Sequence, residues 1–232
     1  KPGVCTGVSG PGTLNLLTGV YTAAVDCAPM VVLGGASEVH EVGRDTFQEV
    51  DQVGIMQPLC KYLHRPTNAA RYPEIVSTAF RQTLSGRPGP VYIDIGADVV
   101  YENVEEEEAT KPTRPLKRSR PSAEPEAVKE AVDLLARAER PIIYAGGGAF
   151  FSGGASELER LVDITSTPFY TTPMSRGLVA EDHAVSFQGA RSTAMREADV
   201  LLVVGTRLNW TVQHGGRFPD DARVIQVDID PT

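Results

Sequence analysis

The chain has 232 residues, 41% hydrophobic, 22% charged and 6% aromatic, with a net charge of −8. This length suits two domains of roughly 100–150 residues, and the composition supplies apolar material for two soluble cores. The negative balance argues against non-specific nucleic-acid binding, and no apolar run approaches the roughly 20 residues that span a bilayer. Lys1-Pro2-Gly3-Val4 is neither a Met start nor a signal peptide, and Gly3–Ser9 already reads as a strand entering a turn. The chain is therefore expected to begin in mid-domain. Cys5, Cys27 and Cys60 are odd in number and lack CxxC spacing. They read as buried thiols in a reducing compartment, with the cytoplasm the expected location.

Strand and helix signals alternate through the first hundred residues. Gly3–Ser9 is a short apolar run closed by the turn Ser9-Gly10-Pro11-Gly12. Thr13–Asp26 carries Leu16, Leu17, Val20 and Ala23/Ala24 at helical spacing, with Thr13 as its cap. Pro29 ends that helix, Met30–Leu33 is a strand stopping at Gly34-Gly35, and a polar segment runs from Ser37 to about Lys61. Asn68–Leu84 is a helix, and Gly86-Arg87-Pro88-Gly89-Pro90 turns into the strand Val91–Ile95. Such alternation predicts a parallel sheet covered by helices on both faces.

Residues 101–121 interrupt the rhythm with the acidic run Glu105–Glu108, then five basic residues and two prolines in Lys111–Arg120. The segment reads as an exterior linker. Lys117-Arg118-Ser119-Arg120 also matches a nuclear-localisation pattern, the weaker reading beside oppositely charged flanks. The rhythm restarts with a helix over Ser122–Ala138, striped by Val128, Val132 and Leu135. Strands follow at Pro141–Ala145, Pro168–Thr171, Val200–Val204 and Val224–Asp228, with helices at Ala155–Asp163 and Ser192–Glu197. The fold class is thus α/β, two doubly wound parallel-sheet domains over 1–100 and 122–232.

Several residues at expected strand ends are suited to ligands, and each has a plainer reading. Gly146-Gly147-Gly148 follows a strand and opens a helix, which suits a phosphate or a ligand-free tight turn. Asp228 closes the last strand, where a carboxylate takes a ribose diol or caps a turn. Arg207 suits a diphosphate by bidentate contact, or an acidic neighbour such as Asp228. Ser9-Gly10-Pro11-Gly12 lacks the Lys-Ser/Thr pair of a P-loop, and Phe47–Gln52 is a polar, acidic loop. His40, His64, His183 and His214 lie far apart, and none is assigned to catalysis.

Taken together, these motifs resemble the thiamine-diphosphate enzyme superfamily, in the group of acetolactate synthase, oxalyl-CoA decarboxylase and 2-hydroxyacyl-CoA lyase. Val8-Ser9-Gly10-Pro11-Gly12-Thr13-Leu14-Asn15 resembles its SGPGxxN turn and Phe47-Gln48-Glu49 its FQE loop. Gly86–Val91 resembles its GRPGPV strand entry, and Gly205-Thr206-Arg207-Leu208-Asn209-Trp210 its GxRLNW element. The order matches over nearly the whole chain. The LNW triplet resembles the acyl-CoA branch, and Ser186–Met195 lacks the GMHG-like segment of flavin-binding synthases. Phe47-Gln48 is shared by lyases and synthases, whereas oxalyl-CoA decarboxylases tend to have Tyr-Glu, which favours the lyase.

The resemblance implies thiamine diphosphate and Mg2+ as cofactors, with the thiazolium as nucleophile and electron sink for C–C cleavage or ligation. It implies a central Rossmann-like domain behind a partial pyrimidine-binding domain. It places Pro11 and Asn15 against the pyrimidine and Phe47 and Gln48, as catalytic residues, near the reacting carbon. Arg207, Asp228 and Ile229, joined by Gly147 and Arg87, would hold an adenine nucleotide, with ADP or the adenosine end of coenzyme A favoured over FAD. The implied substrate is an acyl-CoA or a 2-oxo or 2-hydroxy acid, and the implied assembly a homodimer or homotetramer. The family's activating glutamate and its GDG…N metal motif fall outside the matched stretch, so no metal ligand is assigned here. The chain is expected to be an internal fragment, inactive alone. The rivals are an FAD-containing acetolactate synthase and, from another class, a non-catalytic adenine-nucleotide-binding module.

Overall fold

A computed structural model describes residues 1–112 and 120–230. Contacts divide the chain into two compact units, Lys1–Arg120 and Pro121–Thr232. Most of the basic half of the expected linker, and with it the nuclear-localisation pattern, lies outside the described residues. Among the described residues no helix is long and apolar enough to cross a membrane.

The first unit runs β1 (Gly3–Gly7), α1 (Pro11–Leu14), α2 (Leu17–Val25), β2 (Met30–Ala36), α3 (Gln52–Met56), β3 (Leu63–His64), α4 (Tyr72–Leu84), β4 (Pro90–Gly96) and α5 (Ala97–Val100). Its strands are all parallel in the order β1-β2-β4-β3, with Met30 opposite Pro90 and Gly3 opposite Met30. Alternation along β2 and β4 feeds two cores. Val31, Val91 and Ile93 face Ile75 and Ala79 of α4, while Val32 and Tyr92 pack with Val20 and Met56 on the other side. Asp94 shares the pleat face of Tyr92, which carries a carboxylate into the interior at the strand's carboxyl end.

The second unit runs α6 (Pro125–Arg137), β5 (Pro141–Ala145), α7 (Gly147–Ser152), α8 (Ala155–Thr165), β6 (Phe169–Thr171), α9 (Arg191–Glu197), β7 (Val200–Val204) and β8 (Arg223–Val227). The order is β6-β5-β7-β8, again parallel, and Val204 lies opposite Val227. Because β6 lies on one side of β5 and β7 on the other, the topological switch falls between β5 and β7. Two parallel sheets clothed by helices are the α/β architecture read from the sequence.

Three local expectations needed correction. The helix expected over Thr13–Asp26 is two helices, opened by Pro11, whose fixed φ and missing N–H suit a first helical position. Thr13 is not a cap: it is buried, and its hydroxyl donates back to the Val8 carbonyl at 3.0 Å. On α6 the core takes Ala131, Leu134 and Leu135, leaving Val128 and Val132 48% and 56% exposed, because the apolar arc is wider than the surface it covers. The acidic part of the expected linker is tied back on the first unit. Glu102 accepts from Ala69 N–H at 3.0 Å, and Thr110 N–H donates to the Ala70 carbonyl at 2.9 Å.

Candidate functional site

The carboxyl edge of the first sheet gathers the turn after β1, the long loop after β2 and the end of β4. The turn is built on Gly10, which has φ +61° and ψ −113°, a conformation that glycine adopts without steric cost. A Cβ there would lie 2.4 Å from the Gln48 carbonyl oxygen, so the turn and the loop touch backbone to backbone. Ser9 Oγ donates to the same carbonyl at 3.4 Å.

The loop is held from inside itself. Glu49 accepts from Gly43 N–H at 2.5 Å and Thr46 N–H at 3.1 Å, and these backbone donors, Gly43 first, hold its carboxyl below the usual range. Thr46 Oγ1 donates to Ser37 Oγ at 2.9 Å. With Glu49 used as a brace, the loop presents Phe47, 86% exposed, and Gln48 at φ +59°. Asp51 then caps α3 through Gly54 N–H at 2.9 Å.

Beneath the loop lies a buried polar network that the motifs did not single out. Gln52, 3% exposed, accepts from Gly10 N–H at 2.7 Å. Its Nε2 faces the Gly35 carbonyl at 2.9 Å, Asp94 Oδ1 at 2.9 Å and Tyr92 OH at 3.1 Å. Tyr92 OH also donates to Asp94, and burial, followed by that bond, pushes the phenol well above its ordinary range. Arg65 Nη1 pairs with Asp94 Oδ2 at 3.3 Å, and its Nη2 donates to the Ser37 carbonyl at 2.8 Å. Arg65 Nε is buried without a hydrogen-bond partner among the described residues. The sequence held one signal for this network: a lone aspartate in the otherwise apolar strand Pro-Val-Tyr-Ile-Asp-Ile-Gly. Above it opens a cavity of about 280 Å³, walled by Ser37, Glu49, Asp51, Gln52, Arg65 and Asp94 among others.

In the second unit, Gly146 N–H donates to the Val204 carbonyl at 2.9 Å and Gly148 N–H to the Gly205 carbonyl at 2.8 Å. Gly205 has φ +60°, and a Cβ on it would stand 2.3 Å from Ala149 N. The glycines therefore let the turns after β5 and β7 touch across the switch point. Gly147 starts α7, and Arg207, half-buried, follows β7. Asp228 and Ile229 follow β8 and are exposed, and Asp228 accepts from Asp230 N–H at 3.0 Å. Strand register thus puts Arg207 and Asp228 beyond neighbouring strands at one edge. Arg87 belongs to the first unit, before β4, where its Nε donates to Cys27 Sγ at 3.0 Å. A second network missed by the sequence joins Arg191 Nη2 to Tyr144 OH at 3.3 Å and Tyr144 OH to Thr211 Oγ1 at 3.2 Å.

Open parallel sheets take ligands at their carboxyl edge, and the chain carries two such sheets. Residues 1–55 match the family model of the thiamine pyrophosphate enzyme N-terminal TPP binding domain, and residues 128–232 that of the central domain. The chain is 40% identical over 237 residues to a 2-hydroxyacyl-CoA lyase of Arabidopsis thaliana, covering 99% of this chain and 41% of that protein. It is 38% identical over 242 residues to a probable acetolactate synthase large subunit of Methanococcus aeolicus, covering 100% of this chain and 40% of that protein. To the oxalyl-CoA decarboxylase of Escherichia coli (strain K12) it is 36% identical over 238 residues, covering 100% and 42%. The chain belongs to the thiamine pyrophosphate enzyme family. It spans about two fifths of the length of these curated relatives.

The first unit's residues fit one end of thiamine diphosphate. Pro11 and Asn15 are exposed, offering a flat apolar ring and a side-chain amide to a heterocycle. The cavity wall sets the carboxylates of Glu49, Asp51 and Asp94 against the cation of Arg65. Such a lining suits a neutral or cationic heterocycle and disfavours a diphosphate.

Proposed function

We propose that the full-length protein is a thiamine-diphosphate-dependent C–C lyase or carboligase acting on 2-hydroxyacyl-CoA or oxalyl-CoA. The observation that carries this reading is the contact between the 9–12 turn and the Gln48 carbonyl, which brings the SGPG-like turn and the FQE-like loop to one strand edge. In this reading Pro11 packs on the aminopyrimidine, Asn15 hydrogen-bonds it, and Phe47 and Gln48 stand beside the reacting carbon. Phe47 sheds water from that carbon, and the Gln48 amide orients the substrate carbonyl. Thiamine diphosphate with Mg2+ supplies the nucleophilic carbon and the electron sink. The names of the lyase and decarboxylase relatives support the substrate class.

In the second unit Arg207 takes the diphosphate of ADP or of coenzyme A's adenosine end, Asp228 its ribose and Ile229 its adenine. Gly147 contributes backbone, and FAD is the less favoured occupant. The sole tryptophan, Trp210, stands three residues beyond Arg207 and is 76% exposed, so its fluorescence should report ADP binding. Arg207→Ala should weaken ADP roughly 10–150-fold, the loss of one charge-assisted contact. Equal affinities would remove Arg207 from the site.

The activity test gives full-length protein thiamine diphosphate, Mg2+ and each candidate substrate. Conversion of a 2-hydroxyacyl-CoA to an aldehyde and formyl-CoA, or of oxalyl-CoA to formyl-CoA and CO2, supports the proposal. Acetolactate formation from pyruvate by a yellow, flavin-loaded preparation moves the assignment to the synthase. ADP binding with no turnover of any substrate moves it to a nucleotide-binding module.

A further inference from the structure

We infer that Gln52 is a positioning residue: its buried amide sets the distance between the 9–12 turn and the loop bearing Phe47 and Gln48, so both cofactor binding and turnover depend on it. The inference rests on the proposed function and goes beyond the residues named there.

Gln52 joins four pieces of chain through one side chain. Its Oε1 holds Gly10 N–H at 2.7 Å, one residue before Pro11. Its Nε2 reaches the end of β2 at Gly35 O and the interior of β4 at Asp94 and Tyr92. Its backbone follows Gln48 by four residues and is fixed by the Asp51 cap. The far end of the network is rigid in its turn, because Arg65 ties Asp94 to the Ser37 carbonyl. Gly10 therefore sits between two constraints, the Gln52 acceptor on one side and the Gln48 carbonyl on the other.

An amide is the group this geometry requires. One side chain must accept from a backbone N–H and donate to a carbonyl and a carboxylate, all away from water. A carboxylate keeps the acceptor but has no donor, and a thioether has neither. Leaving Gly10 N–H without its partner frees the turn to shift against Gln48, and misplacement of about 1 Å near the chemistry can cost on the order of 100-fold in rate.

The test uses the full-length protein with thiamine diphosphate as the titrated probe, read by calorimetry, and kcat measured at saturating cofactor. Gln52→Met should raise the cofactor Kd about ten-fold, the effect of one lost buried hydrogen bond. It should also lower kcat by about 10–100-fold. Gln52→Glu gives a readout that a purely structural role would not move. The carboxyl it introduces faces Asp94, Tyr92 and Arg65 across the network, with Asp51 and Glu49 on its own segment. It can donate only while protonated, so kcat relative to wild type should rise as pH falls. A folded Gln52→Met protein with wild-type Kd and kcat overturns the inference, even if its Tm is lower. So does a Gln52→Glu to wild-type ratio that is flat with pH, and this variant decides alone if Gln52→Met does not fold. Wild-type protein that fails to bind thiamine diphosphate overturns the proposed function and this inference together. Wild-type binding with unaffected variants overturns only the role of Gln52.

Discussion

Gly10→Ala tests the junction on which the site is built. The substitution adds one methyl at φ +61° and ψ −113°, where an L side chain costs about 1–3 kcal/mol. The methyl would also stand 2.4 Å from the Gln48 carbonyl oxygen, inside the 3.0 Å that real Cβ atoms keep, so turn or loop must move by at least 0.6 Å. Overpacking of this kind costs about 1–3 kcal/mol more, while the lost chain entropy of glycine in the unfolded state returns about 0.4–1 kcal/mol. The expected net loss is about 1–5.5 kcal/mol, a large share of a typical domain's stability. With m near 1–3 kcal/mol/M in urea, the midpoint of the first unit's transition should drop by about 0.3 M or more. Urea unfolding followed by circular dichroism measures this. Gly19→Ala is the control, since Gly19 is in α2 with nothing within 4 Å of an added Cβ. It should stabilise by about 0.5–1 kcal/mol. If the two variants are equally stable, the backbone contact between turn and loop does not exist.

Asp94→Asn leaves the Arg65 guanidinium, 27% exposed, without its carboxylate, and should cost about 2–4 kcal/mol in thermal unfolding. Adding Arg65→Met should recover part of that loss; a double variant no more stable than Asp94→Asn would show that the pair is not coupled. Burial, then the neighbouring Cys5, pushes the Cys60 thiol up from 9.0 to about 12, so iodoacetamide at pH 8 should leave it unmodified in the folded protein. Because the folded state holds this proton more tightly, the contribution is complete below about pH 9 and is lost as pH rises toward about 12. Rapid native-state alkylation of Cys60 would contradict its partial burial.

Local pattern determined much of this protein. The strands Pro141–Ala145 and Val200–Val204 begin and end where apolar runs meet turn residues, and both bounds were readable from neighbours in sequence. Parallel pairing followed as well, since strands spaced by helices return in one direction. The family was readable from motif order, and it was those motifs that drew attention to the turn at Gly10 and the loop at Phe47. Gln52 was visible only as one polar residue in a polar segment, and Asp94 only as an oddity in an apolar strand. What makes them a network is separation: Gln52 meets Gly10 across 42 positions and Asp94 across another 42. No local propensity encodes a contact of that span, because it exists only after β1, β2 and β4 have paired. The same holds for the exposed flank of α6, where periodicity located the apolar arc but only packing decided that Leu134 would be covered and Val132 left in water. Sequence pattern fixes what a segment can bury or bond, and tertiary contact selects which of those groups meet.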